Sequence, residues 1–310
     1  MAALLAAAAP LAAQGNGTTA GILLELPATS RQMAFQGAYA AVVGDEGSIF
    51  VNPAGMAPIR HTALGMSYER GIFGSTLSSG AAALRVGRFD VGVGVMYLDF
   101  GGDSVIVPDP AFGGDRGTVS GQVITAYNAL VVGALAYRHG MISVGGSMKY
   151  LREQIGGGAS SYAAQGLTGD LGLAIAVFDI MALGATVQNV AGSLSTSSGA
   201  STPMPRTVRL GFTLNFIDPQ GTARFMTTMD WIHPPGGDSY AAFGFEGGVV
   251  AGGLGIVGRA GVAAGRAPGD RKPFSVGGGL VVKSVRVDYA WQGYATLGEG
   301  SHRFGVRWVP

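Results

Sequence analysis

Bulky apolar residues alternate with small or polar residues along most of the chain. Between Val285 and Trp291 the bulky side chains occupy every second position, and the residues between them are charged or small. The same alternation runs through 89–97, 208–216 and 274–282. A period of two is typical of β-strands, whose side chains point alternately to two faces. The pattern therefore predicts strands with one bulky apolar face and one face of glycine, small polar and charged residues.

The alternating segments form an ordered series along the chain. We predict fourteen strands near 62–70, 76–87, 89–100, 124–138, 141–153, 161–177, 179–189, 205–216, 222–233, 239–248, 254–264, 273–283, 285–296 and 301–309. Turns after the even strands are short, whereas 101–123, 190–204 and 265–272 are predicted long loops. An even strand number with short periplasmic turns and long outer loops is typical of outer-membrane barrels. We therefore expect an all-β, antiparallel transmembrane barrel with both chain ends in the periplasm.

Composition distinguishes a membrane barrel from a soluble sandwich. Glycine accounts for 54 of 310 residues, and only 13% of residues are charged, against about 25% in ordinary globular chains. The charges fall on the small-residue face, which in a barrel lines the lumen while the apolar face contacts lipid. Because these charges are of both signs, we expect them to pair across strands or to hold a plug, and not to select a substrate. The candidate lumen-facing charges are Lys149, Asp170, Arg209, Asp230, Glu246, Arg259, Arg286 and Asp288.

Other classes of protein fit the sequence poorly. The best candidate for a spanning helix, Gly117 to Tyr137, carries several polar residues, whereas such a helix needs about 20 mainly apolar ones. The net charge of +1 gives no basis for binding nucleic acid. The chain has no cysteine, and its four histidines show no metal-ligand spacing. We therefore expect no catalytic residue, cofactor or metal, and the protein is not predicted to be an enzyme.

The N-terminal part divides into two segments. Residues 1–13 are rich in alanine and leucine and resemble the apolar region of a secretory signal peptide, although its basic start is missing. Residues 14–61 lie outside the strand series and are too apolar for a periplasmic tail. We predict that they form a hatch inside the lumen of the barrel, which comprises 62–310. Trp231, Trp291, Trp308 and Tyr289 are expected at the membrane interfaces.

Several motifs in sequence order carry a family resemblance. The hatch run from Gly37 to Met56 contains Asp45 and the motif Asn52-Pro53-Ala54-Gly55. Further motifs follow at 146–151, 170–173, 184–190 and 203–211. Together they resemble the PorV/PorQ family and, more distantly, FadL-type transporters of hydrophobic compounds. Both families imply a fourteen-stranded barrel with an N-terminal hatch. The 52–55 motif could gate the lumen or form a tight turn; proline fixes φ and asparagine caps turns, which favours the turn.

The resemblance implies a role at the bacterial outer membrane. A PorV/PorQ protein would assist type IX secretion by binding secreted cargo or secretion components. The alternative is FadL-like uptake of a hydrophobic small molecule, and a purely structural barrel is a second alternative. Mostly short loops and a glycine-rich, charged lumen favour the protein-partner interpretation. Outer-membrane lipid is an expected partner in every case.

Overall fold

The computed structural model describes residues 19–59, 61–113, 116–157, 161–177, 180–218, 220–265, 271–296 and 298–310. The predicted signal peptide, 1–13, lies outside the described residues, as do 14–18 of the predicted hatch segment. Among the described residues, no helix is both long enough and apolar enough to cross a membrane.

Antiparallel strands make up most of the described chain. In sequence order they are β1 Thr62–Arg70, β2 Thr76–Val86, β3 Phe89–Pro108, β4 Gly117–His139, β5 Ile142–Gly156, β6 Tyr162–Val177, β7 Met181–Gln188, β8 Ser193–Thr196, β9 Ser201–Pro203, β10 Thr207–Ile217, β11 Ala223–His233, β12 Tyr240–Ala251, β13 Leu254–Ala264, β14 Arg271–Val282, β15 Val285–Tyr294 and β16 Gly300–Trp308.

Fourteen of these sixteen described strands close into a barrel, because the hairpin of β8 and β9 lies outside the continuous wall. β1 pairs with β16, and β5 pairs with β6, so the wall has no open edge. β7 pairs directly with β10. The β8–β9 hairpin attaches to β6 beyond the end of β7.

The two faces of the wall follow the predicted alternation. Val285 and Val287 are exposed on the outside, whereas Asp288 and Ala290 are buried in the lumen. The same contrast separates exposed Val91, Val93 and Val95 from buried Asp90 and Met96. A broad apolar surface therefore surrounds a lumen of small, polar and charged side chains, as in a membrane barrel.

Two predicted loops are wrong in detail. Most of 101–123 is strand, because β3 continues to Pro108 and β4 begins at Gly117. Their pairing shifts register after Asp99 and again after Ser104, and Gly101 and Gly121 have positive φ. These irregularities break the period of two that marks a strand in the sequence. The predicted loop 190–204 likewise contains the β8–β9 hairpin.

The N-terminal segment lies inside the barrel. It forms 3₁₀ turns at Ile22–Leu24, Glu46–Phe50 and Pro53–Met56 and one short helix, α1, at Ser30–Ala34. Thr29 and Gln32 form a capping box at the start of α1. Two further 3₁₀ turns, Ile72–Gly74 and Pro110–Phe112, lie in connections between strands. The hatch side chains that fill the lumen include Leu23, Phe35, Tyr39, Ile49 and Met56, all buried.

Candidate ligand cavity and hatch

Glycines on the lumen face provide the surface on which the hatch rests. A methyl group built on Gly145 would lie 2.6 Å from the Ala54 amide nitrogen. A methyl group on Gly184 would overlap the Ala40 carbonyl, and one on Gly261 would lie 2.5 Å from the Ala34 carbonyl oxygen. Such distances leave no room for a side chain. The glycine-rich face predicted for the lumen is therefore the contact surface of the hatch.

The hatch motif at 52–55 joins the hatch to the wall. The buried Asn52 amide donates to the carbonyl oxygens of Ala40, at 2.7 Å, and Leu173 in β6, at 3.0 Å. Its Oδ1 accepts from the Ala54 amide at 3.1 Å and caps the turn that Pro53 begins. A methyl group on Gly55 would lie 2.8 Å from the Val42 carbonyl oxygen. The motif therefore forms a tight turn that is hydrogen-bonded to a barrel strand.

A second contact between hatch and wall involves Arg209 and Asp230. Asp230 Oδ2 accepts from the backbone amides of Tyr39 and Ala40, each at 2.9 Å. Arg209 donates to the Gly37 carbonyl oxygen at 2.8 Å and lies 3.8 Å from Asp230. Gly37 has a φ of 80°, in the left-handed region that favours glycine. Two charged wall residues thus hold the hatch mainly through its backbone.

Side chains from the hatch and from four wall strands form a buried charged cluster, which we call the lumen network. Its members are Arg31, Asp45, Glu46, Glu246, Arg259, Arg286, Asp288 and Arg307. Arg31 donates to both carboxylate oxygens of Glu246, each at 2.9 Å, and Arg259 donates to the same carboxylate at 2.7 Å. Asp288 accepts from Arg259 and from Arg286, each at 2.7 Å. The network therefore ties α1 to β12, β13 and β15.

The hatch carboxylates complete the lumen network. Asp45 lies 3.2 Å from Arg31 and within 4 Å of Arg286 and Arg307, while Glu46 accepts from Arg307 at 2.6 Å. Burial alone would raise the pKa of Asp45, but Arg307, Arg31 and Arg286 together hold that pKa well below its ordinary value. Burial and the neighbouring Asp45 raise the pKa of Glu46 despite its bond to Arg307. The two adjacent carboxyls therefore differ in their ease of protonation.

Lys149 and Asp170 form a separate buried pair. The Lys149 amine lies 2.7 Å from Asp170 Oδ2, and Asp170 Oδ1 accepts from the Asn189 amide at 2.9 Å. Asn189, with a φ of 52°, also donates its side-chain amide to the Pro205 carbonyl oxygen at 2.8 Å. The pair therefore anchors both ends of the β7–β10 connection to the wall.

A large cavity lies between the hatch and the long-loop end of the barrel, with a volume of about 820 Å³. Phe50, Val51 and Gly37 of the hatch are in its floor, and residues at the ends of β7, β10, β11, β12 and β14 line its sides. Its remaining side is residues 19–27, which we call the N-terminal strap. The volume falls within the roughly 300–1,000 Å³ of small-molecule sites.

The cavity lining combines apolar and polar side chains. Ile22, Leu24 and Leu26 of the strap face it together with Ile232 and Tyr240 of the wall. The polar lining includes Gln188, Arg209, Arg271, Glu25 and Asp238. The strap is held at the rim by the Ala20 amide, which donates to the Pro203 carbonyl oxygen at 3.1 Å. The arrangement can accommodate a small molecule with an apolar body and some polar contacts.

The structure brings the predicted site residues into different places. Glu246, Arg259, Arg286 and Asp288 meet in the lumen network with the hatch residue Asp45, whereas Lys149 and Asp170 lie apart from it. Of the predicted charges, only Arg209 lines the cavity described above. Arg31 and the strap were not among the predicted site residues. The signal available in the sequence was that Arg31 is the only basic residue between positions 19 and 59.

Comparisons with known proteins show similarity at the level of the fold. No protein-family model matches the sequence, and no curated protein matches it at a significant level. The toluene transporter TbuX of Ralstonia pickettii has a similar structure, with a TM-score of 0.59, 15% identity and coverage of 91% of this chain and 98% of TbuX. A FadL homologue of Pseudomonas aeruginosa gives a TM-score of 0.59, 12% identity and the same coverage. The toluene transporter TodX of Pseudomonas putida gives a TM-score of 0.57 and 13% identity, with coverage of 90% of this chain and 96% of TodX.

At these identities the likeness concerns the fold. The chain is a closed antiparallel barrel of the FadL-like type, with a short N-terminal region of 3₁₀ turns. Two of the three similar barrels are described as toluene transporters and the third as a FadL homologue.

Proposed function

We propose that this protein takes up hydrophobic small molecules across the bacterial outer membrane. The observation that carries the proposal is the cavity of about 820 Å³ at the long-loop end, directly above the hatch. Its apolar strap residues can contact a hydrophobic body, and its arginines and glutamines can bind a polar group. Similar barrels described as toluene transporters support this choice over a secretion role.

The barrel has a defined orientation across the outer membrane under this proposal. Long loops face the outside and short turns the periplasm in outer-membrane barrels. The cavity then opens towards the outside, and the C-terminal end of the chain, which follows β16, faces the periplasm. The hatch occupies the lumen below the cavity, so a ligand passes only when part of the hatch moves. We therefore assign the hatch the role of a gate and propose that this barrel is not an enzyme.

The finer assignment to the PorV/PorQ family rests on the sequence motifs alone. No contact of the described residues favours a cargo protein or a secretion component as partner, and the role in type IX secretion stays a prediction. A purely structural barrel would not need a cavity of this size. Uptake of a hydrophobic compound is therefore the function that the geometry supports best.

Ligand binding by a cavity-filling variant tests the proposal. Ile22 lines the cavity, and Ile180 lies at the opposite end of the barrel; both are 53% exposed. Replacing Ile22 with tryptophan should fill part of the cavity and weaken binding of a fluorescent fatty acid or a monoaromatic probe about tenfold. Ile180→Trp is the matched control and should bind as the parent does.

The measurement is equilibrium binding in detergent, with a pull-down of exported proteins run on the same samples. Weaker probe binding in Ile22→Trp alone supports uptake through the cavity. Equal binding by both variants, or no saturable binding by the parent, contradicts the proposal. Specific capture of an exported protein in that case would instead favour the secretion role.

A further inference from the structure

The outward face of four adjacent strands carries a row of two cationic side chains and a histidine at the long-loop end, which we call the cationic row. The strands are β14, β15, β16 and β1, which are neighbours in the wall. Arg70, at the end of β1, lies directly opposite His302 of β16, and His302 lies opposite Trp291 of β15. Arg70 and His302 are exposed. Both share their outward face with lipid-facing residues such as Tyr68 and Phe304.

Lys272 of β14 extends this row. A methyl group built on Gly293 would lie 3.0 Å from Lys272 Cδ and 2.9 Å from the Trp291 ring. The lysine stem and the indole therefore lie side by side over Gly293, and the indole also covers Gly300. With strands about 4.8 Å apart, Arg70 and Lys272 are separated by roughly 14 Å along the rim. Because Gly293 and Gly300 have no side chains, the Trp291 indole has room to lie against the wall.

Aromatic side chains accompany the cationic row. The Tyr289 hydroxyl lies 2.8 Å from His302 Nδ1, and the Tyr289 and Phe304 rings are 5.2 Å apart. When the hydroxyl donates to Nδ1, the other ring nitrogen of His302 carries the proton and can donate outward. Phe73, in the turn after Arg70, is 78% exposed. Aromatic rings at this height are typical of the zone between acyl chains and headgroups.

Three acidic residues lie near the row, and one of them, Asp99 of β3, lies on the same outward face two strands beyond Arg70. Glu69, next to Arg70 in sequence, is buried in the lumen and accepts from Arg303. Glu299 is exposed in the turn between β15 and β16. The row therefore combines positive charge, an indole and exposed aromatic rings at the border of the apolar outer surface.

We infer that this rim, formed by Arg70, His302, Lys272 and Trp291, binds a phosphate group of lipid A in the surrounding leaflet. Arginine and lysine bind phosphate through charge-assisted hydrogen bonds, and the acyl chains of the same lipid continue onto the apolar wall below. The choice of lipid A rests on the orientation given under the proposed function. The rim is separate from the ligand cavity, because its side chains lie outside the wall.

Removing two of the charges tests the inference. Arg70→Gln combined with Lys272→Gln should weaken binding of lipid A about fivefold for each charge removed, as expected for cations beside an anionic membrane surface. The single variant Arg70→Gln should show half of this effect on a logarithmic scale. The matched control is Arg88→Gln combined with Lys283→Gln, which removes two exposed cations from turns at the opposite end and should bind as the parent does.

The probe is purified lipid A, compared with its dephosphorylated form and with phosphatidylglycerol, and bound lipid is counted by native mass spectrometry in detergent. Heat-dependent gel migration confirms that each variant is folded. Loss of lipid A binding in the rim variants alone, with weak binding of the dephosphorylated form, supports the inference. Unchanged binding, an equal loss in the control, or equal binding of dephosphorylated lipid A or phosphatidylglycerol overturns it. Binding of a fatty acid or a monoaromatic probe is measured on the same samples and reports on the cavity. Lipid A binding at the rim and ligand binding in the cavity can therefore be contradicted independently.

Discussion

Asn52 shows how much one side chain contributes to the position of the hatch. Its amide group donates to one carbonyl of the hatch and one carbonyl of β6, while its oxygen caps the turn of residues 53–56. The residue is fully buried. A buried carbonyl that loses its donor costs about 1–3 kcal/mol. Asn52 therefore stabilises the contact between hatch and wall more than the fold of the wall itself.

Asn52→Asp should loosen the hatch while leaving the barrel intact, because the carboxylate cannot donate to the Ala40 and Leu173 carbonyls. We expect faster amide hydrogen exchange at 50–57, equivalent to about 1–3 kcal/mol, and normal heat-dependent gel migration. Asn215→Asp is the control, because Asn215 lies near the end of β10 at the short-turn end of the barrel and the same substitution there keeps the oxygen that accepts from Arg224. Equal exchange in the Asn52 variant and the parent would show that the motif does not hold the hatch.

At the scale of secondary-structure elements, the hatch is held against the wall by close approach of their backbones and by buried ion pairs. The approach requires glycine on the lumen face of several strands, and the charge is concentrated in the lumen network. Each carboxylate of the network has arginine partners, which offsets the cost of burying it. The hatch thus depends on residues that are distant in sequence from the hatch itself.

Gly184→Ala should displace the hatch, because the new methyl group would overlap the Ala40 carbonyl. Gly133→Ala is a matched control, since a methyl group there has no heavy atom within 4 Å. Limited proteolysis of the folded barrels should cleave the hatch faster in the Gly184 variant only. The same cleavage rate in both variants would mean that the glycine face does not seat the hatch.

The pKa directions of the hatch carboxyls predict how seating depends on pH. Asp45 has a lowered pKa when seated, so its stabilisation is complete above its unseated pKa and is lost as the pH falls towards the lower, seated value. Glu46 has a raised pKa, so its contribution is complete below its unseated pKa and falls as the pH rises through the seated value. Hatch protection should therefore decrease as the pH rises above the ordinary pKa of a glutamate.

Hydrogen-exchange protection factors of the hatch, corrected for intrinsic rates, measure this dependence. Glu46→Gln should abolish the decrease. Asp45→Asn should lower protection at both pH 5 and pH 7 and should make the decrease smaller, because the Asp45 charge is one of the causes of the raised pKa of Glu46. A pH dependence that survives Glu46→Gln would assign the titration to another group.

Sequence periodicity predicts the wall well for a physical reason. Each wall strand meets lipid on one face and a filled lumen on the other, so residues such as Val287 and Asp288 carry opposite chemistry at adjacent positions. The β3–β4 extension lacks this contrast, because both of its faces are exposed beyond the neighbouring strands. Its strand character was therefore missed, and the short β8–β9 hairpin was missed as well.

At the scale of the whole molecule, the cavity could not be predicted from the sequence. Its lining comes from the strap, the hatch and the ends of five strands, and no local spacing connects Leu24 with Ile232 or Arg271. The individual lumen charges were predicted as a set, but the partner of each depends on strand register and on the path of the hatch. Arg31 is central to the network because folding places α1 beside β15 and near Glu246.

The central claim is that a hydrophobic ligand enters the cavity and passes the hatch when the hatch moves. Because the natural chain has no cysteine, an introduced pair can lock the hatch selectively. Ala34 of α1 and Ala290 of β15 pack in one buried cluster, so Ala34→Cys with Ala290→Cys places two thiols at the contact between α1 and β15. The two single-cysteine variants are the controls.

The decisive measurement is saturable uptake of a labelled fatty acid or monoaromatic compound by cells that produce the double-cysteine variant. We predict uptake at the parental rate under reducing conditions, loss of uptake after oxidation to the disulfide, and recovery on reduction, with ligand binding retained throughout. The single-cysteine variants should transport under both conditions. Undiminished uptake through the oxidised, cross-linked protein, or no saturable uptake by the parent, would contradict the account.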